Sequence, residues 1–188
     1  MEITLAALWL PILLSSVAIF FASFVLWTIS PHHKPDWKGL PNEDGVMDVL
    51  RDQGASQPGQ YVFPYCASND DMKSEAYQKK YADGPSGMLV IRPKGGWNMG
   101  SSLVQSLVYN IFLVAVAAYL ATIGLTKATP TGDVFRFIST TVWLGCAGAL
   151  GWGAIWWARS WSSIAKEAFD GLIYGLLSGG IFLWMWPS

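Results

Sequence analysis

The residues with the most chemical potential are His32 and His33, which stand side by side and are the chain's two histidines. An imidazole pair can ligate haem or a metal ion. Adjacent side chains on a loop point apart, however, so the doublet reads as polarity at the edge of an apolar stretch. Two cysteines and two adjacent histidines also lack the ligand spacing of structural zinc. Cys66 has no neighbouring His to make a thiolate nucleophile and reads as an inert thiol. Asp70-Asp71 lacks a convergent partner and suits the positive end of a helix better than a carboxylate dyad. Gly84-Pro85-Ser86-Gly87 and Pro93-Lys94-Gly95-Gly96 read as turns, since neither matches a phosphate loop. No catalytic, cofactor-binding or metal-binding residue is assigned on these grounds, and the expectation is a protein that is not an enzyme.

Polar groups at the ends of apolar stretches form a second set. Gln105, Tyr109 and Asn110 open one stretch, Arg159 closes another, and Asp170 follows Lys166 and Glu167 at the start of the last. An ionisable group in hydrocarbon is costly unless paired. The expected arrangement is a polar cluster of Arg159 or Lys166 with Asp170, helped by Asn110. A proton or ion relay is the weaker reading, because no apolar stretch carries a charge near its centre.

Glycine and tryptophan supply the remaining patterns. Gly171, Gly175 and Gly179 recur at every fourth position, as do Gly145, Ala149 and Gly153. In lipid, small residues let helix backbones approach and collect dispersion and Cα–H···O contacts. The two sets predict a tight helical hairpin, with docking of another protein's helix as the alternative use. Eleven Trp is far above ordinary usage. Trp27, Trp97, Trp156, Trp157 and Trp161 fall near one predicted boundary, and Trp9, Trp184 and Trp186 near the other, as an anchoring belt would place them. Trp143 and Trp152 lie deeper and are candidates for contact with a bound pigment, quinone or lipid, although an aromatic stripe is more often packing.

These groups are positioned by four apolar stretches, at about 3–29, 103–125, 134–158 and 168–186. Roughly 20 helical residues cross a ~30 Å hydrocarbon core, so each is long enough. Of the 188 residues 52% are hydrophobic and 13% charged, against roughly 25% charged in soluble domains. The expected fold is an all-α transmembrane bundle of four helices. The organisation is a first helix in 1–29, a small α+β cytoplasmic segment in 30–100 and three further helices in 101–188. Met1-Glu2 carries no basic side chain, and the first stretch is too long for a signal core, so it reads as retained.

The segment 30–100 is patterned. Asn42 can cap a helix over 43–53 that stops at Gly54, with Val46, Val49 and Leu50 on one face. Strands are expected at 60–64 and 87–92, and a helix at 69–82 capped by Ser68. So small a segment buries little apolar area and is expected to lean on the membrane or a partner.

Positive residues near the span ends set orientation. Lys34, Lys38, Arg92, Lys94, Arg159 and Lys166 lie on one side, against Lys127 and Arg136 on the other. That places 30–100 in the cytoplasm and both termini outside. Cys66 then sits where thiols stay reduced, and Cys146 lies in an apolar stretch, so no intrachain disulfide is expected. A net charge of −1 argues against nucleic acid.

The strings YVFPYCASNDDMKS, GPSGMLVIRP, NMG, AYLA, VFR and DGLIYGLLSGGIFLWMWP resemble a family of small bacterial four-helix integral membrane proteins, over most of the chain. The resemblance implies a bacterial inner membrane and transfers no active-site residue. The expected function is an accessory subunit of a larger membrane complex, of respiratory or photosynthetic kind, bound to lipids and to other integral membrane subunits. The alternative is a protein that handles small molecules or lipids, or an oligomeric transporter, using Asn110 and Asp170.

Overall fold

A computed structural model describes residues 3–54 and 57–187. Among these, four helical stretches are long and apolar enough to cross a membrane: Leu5–Ile29, Met99–Gly124, Thr131–Trp157 and Trp161–Met185. The chain divides into two units, one formed by 1–37 with 98–188 and the other by 38–97.

In the first unit, a 3₁₀ turn at Leu5–Leu8 leads into α1 (Trp9–Phe24). Pro11 lies in the first turn of α1, where its missing N–H interrupts no intrahelical bond. The helix ends in a π turn, Val25–Ile29, closed by the bond from Ser30 N to Val25 O. Pro31 cannot continue it. The helix α5 (Met99–Gly124) is capped by Asn98, whose side chain accepts from Ser101 N. It is followed by α6 (Thr131–Ala147), α7 (Leu150–Trp157) and α8 (Trp161–Met185).

Two of these boundaries differ from the sequence expectation. The third apolar stretch is two helices, because the chain breaks at Gly148-Ala149. The last helix starts at Trp161 rather than near 168, since Ser160 caps it by accepting from Ser163 N. Most of what reads as a polar turn between the third and fourth stretches is therefore the first turns of α8. Ala158 makes the sharp reversal between α7 and α8 in a left-handed conformation, φ 51°.

The core sits where α1, α5, α6 and α8 meet, around Leu8, Ile19, Val114, Ala118, Val134, Ile138 and Phe182. The closest approach is α6 against α8. A Cβ added at Gly175 would lie 2.4 Å from the Ser139 carbonyl oxygen, and one at Gly179 would lie 2.8 Å from that of Phe135. Gly171 faces Cys146 in the same seam. Gly145 and Gly153 do not complete a matching groove. Gly145 faces Leu113 of α5, and Gly153 faces Arg159 and Ile164, because the break at Ala149 interrupts their common face.

The second unit holds α2 (Glu43–Asp52), β1 (Gly59–Phe63), α3 (Asn69–Lys73), α4 (Glu75–Asp83) and β2 (Gly87–Ile91). The strands pair antiparallel, with Tyr61 opposite Leu89. Asn42 caps α2, as its position before the apolar face suggests. The helix expected over 69–82 is divided at Ser74, whose extended backbone ends α3 and whose hydroxyl caps α4. Among the described residues of 38–97 none is buried.

Candidate functional site

Both histidines turn onto one carboxylate. The helix stop at Ser30-Pro31 is followed by a tight turn, with Lys34 N bonded to Pro31 O and Asp36 N bonded to His33 O. This curls His32 and His33 back toward α8, so that their ring centroids lie 4.1 Å apart. His32 Nε2 is 3.1 Å from Asp170 Oδ1, and His33 Nε2 is 2.8 Å from Asp170 Oδ2. The expectation that the two rings point apart is wrong, because they lie in a hydrogen-bonded turn that leads into the 3₁₀ helix Lys34–Asp36.

The far nitrogen of each ring is also held. His32 Nδ1 lies 2.6 Å from Ser30 Oγ, and His33 Nδ1 lies 2.8 Å from Asp36 Oδ2. Lys166 Nζ donates to the other oxygen of Asp36 at 2.6 Å. The π turn sets Trp27 over His33, stacked at 3.8 Å between centroids and 12° between planes. Asp170 and His33 are 2% and 4% exposed, while His32 keeps 27%, so the cluster has one open side.

Electrostatics follow from this geometry. Burial acts to lower the His33 pKa, but hydrogen bonds and charge from Asp170 and Asp36 outweigh it and hold the ring above its ordinary 6.5. With a carboxylate on each nitrogen, the ring in this arrangement donates from both, which only the imidazolium can do. The Lys166 ammonium and then His33 hold the Asp36 carboxyl below its ordinary 3.8.

The polar cluster expected from sequence is distributed differently. Asp170 takes the two histidines, Lys166 takes Asp36, and Arg159 pairs with Glu167. Asn110 is half-buried on α5 and has no hydrogen bond to the cluster. The sequence did hold a signal for the true partners. An acid inside an apolar helix needs a counter-group, and the histidines follow directly on another apolar helix.

The other candidates are dispersed. Trp143 Nε1 donates to Ala168 O at 3.0 Å, tying α6 to α8, and Trp152 is exposed on α7. Trp156, Trp157 and Trp161 gather where α7 meets α8, and Trp184 is exposed near the far end of α8. Trp186 Nε1 donates to Thr126 O at 3.1 Å. In the second unit, Trp97 takes the Arg92 guanidinium over its ring at 4.6 Å. Cys66 and Cys146 are free thiols.

Comparison with protein-family models, with curated proteins and with solved structures finds no match.

Proposed function

We propose that the chain is a multi-pass protein of a bacterial inner membrane, of the family its motifs resemble, and a non-enzymatic accessory subunit of a larger membrane assembly. In this reading segment 30–100 lies in the cytoplasm, both termini lie outside, and the segment docks the partner. The observation that carries it is the absence of any buried side chain among the described residues of 38–97. A unit of about 60 residues without a core gains little from folding alone. Its apolar groups are arranged for a contact instead. Val46, Val49 and Leu50 of α2 gather with Asn42 and Gly45 into a shallow apolar groove.

The glycines of α8 are less suited to docking, because α6 already occupies Gly171, Gly175 and Gly179. In its place α5 turns outward a ridge of Val104, Val108, Phe112, Val116, Tyr119 and Ile123, which suits lipid or a neighbouring helix. The transporter alternative is weaker, since Asp170 is already bonded to both histidines and Asn110 makes no hydrogen bond to it among the described residues.

The test is extraction in mild detergent or lipid nanodiscs, followed by native mass spectrometry. A stoichiometric partner lost on Val49→Asp, with the four long helices still folded, is the expected result. A monodisperse, partner-free monomer or homo-oligomer overturns the reading.

A further inference from the structure

His32, His33 and Asp170 each offer one ligand atom, and these atoms all lie within 4.8 Å of one another. Around a tetrahedral zinc with bonds of about 2.0–2.1 Å, neighbouring ligand atoms sit roughly 3.3 Å apart. His32 Nε2 lies 3.1 Å from Asp170 Oδ1 and His33 Nε2 lies 2.8 Å from the other oxygen, Oδ2, so an ion held by both imidazoles and the carboxylate needs the three side chains to open around it.

We infer that His32 Nε2, His33 Nε2 and the Asp170 carboxylate form a binding site for one divalent first-row transition-metal ion. Two imidazole nitrogens with one carboxylate oxygen suit Zn(II) or Fe(II) and their neighbours, whereas Ca(II) and Mg(II) favour an all-oxygen shell.

Two further features point to a ligand rather than to a bare ion pair. The first is the outer layer. Imidazoles that bind metal through one nitrogen are usually held at the other by a carboxylate, carbonyl or water, which fixes tautomer and aim. Asp36 does this for His33 and is itself anchored by Lys166, while the Ser30 hydroxyl does it for His32. Trp27, stacked on His33, blocks rotation of that ring. The second is the pattern of exposure. The cluster is closed on the side of His33 and Asp170 and open only at His32, so an ion can enter there and keep a water or an exogenous donor as its fourth ligand.

Binding is balanced in protons. With the ion on His33 Nε2, that nitrogen's proton leaves to solvent and the Nδ1 proton stays on the hydrogen bond to Asp36. His32 binds through Nε2 as the neutral tautomer with its proton on Nδ1, where the Ser30 hydroxyl oxygen accepts it. No redox change or co-reactant is involved.

The experiment uses the full chain in detergent, stripped with chelator and titrated with Zn(II), with Co(II) as a spectroscopic substitute. One ion per chain is expected, with a Co(II) spectrum of nitrogen and oxygen ligands and absorption fine structure placing donors at about 2.0–2.2 Å from Zn(II). His32→Gln, at the most exposed ligand, serves as the variant that retains the fold, checked by thermal unfolding. It and Asp170→Asn should each weaken binding by about 100-fold or more, and Asp36→Asn by roughly 10–100-fold through the outer layer. Failure of the stripped protein to take up Zn(II), or binding that survives His32→Gln and Asp170→Asn, overturns the site.

Discussion

Lys166 on α8 and Asp36 in the turn after α1 are joined at 2.6 Å across 130 residues of chain. Asp36 also accepts from His33, and His33 reaches Asp170 one helical turn beyond Lys166. The turn is thus held to two successive levels of α8, and the end of α1 is fixed against it. Such an arrangement is stable only while each buried group keeps its partner.

Removing the central acid should therefore do the most damage. Asp170→Leu strips the acceptor from two imidazoles, one of them buried, and is expected to cost about 3–5 kcal/mol. Asp170→Asn, which keeps one acceptor, should cost less. Lys166→Met should be milder than either, since its side chain is partly exposed. The order is read from unfolding in mixed micelles, with Lys166→Met and Asp36→Asn combined to test for the non-additivity of contacting groups.

The metal-free cluster should be pH-sensitive on both sides. His33 is held above its ordinary 6.5, so its contribution is complete below 6.5 and is lost as pH rises through the raised value. Asp36 is held below its ordinary 3.8, so its contribution is complete above 3.8 and is lost as pH falls through the depressed value. The groups facing them are Asp170 and Lys166 from α8 and His32 from the same turn. With chelator present, the contribution of these two groups should be flat between 3.8 and 6.5 and should decline outside that window. Thermal unfolding across pH should show both declines in the parent chain, and His33→Gln should lose the alkaline one.

The α6–α8 seam makes a sharper steric prediction. Gly175→Ala drives a methyl into the Ser139 carbonyl and should destabilise by about 1–3 kcal/mol. Gly180, one helical step away from Gly179, has nothing within 4 Å of a Cβ. Gly180→Ala should be neutral, or stabilising by up to about 1 kcal/mol through helix propensity. Equal effects at the two positions would remove the close backbone contact as the explanation.

Orientation can be read with the native thiols. In a Cys146→Ala variant, Cys66 should resist an impermeant maleimide in intact cells and react once the cytoplasm is exposed. A C-terminal reporter should be active outside. Labelling of Cys66 from outside would reverse the arrangement drawn from the basic residues.

Much of the fold was legible from local sequence alone. Apolar length set the four long helices, and side-chain caps at Asn42 and Ser68 set where two shorter helices begin, because a cap satisfies backbone donors within three residues. Two serine caps carry a subtler local signal. Ser160 started α8 early and Ser74 split a helix in the second unit, since a serine hydroxyl caps or passes unnoticed depending on the backbone around it. The cluster is different in kind. His32 and His33 lie 138 and 137 residues from Asp170, and no periodicity or spacing encodes that meeting. It is decided when α1 packs on α8 and the hydrogen-bonded turn after Pro31, which leads into the 3₁₀ helix Lys34–Asp36, brings both rings onto one carboxylate.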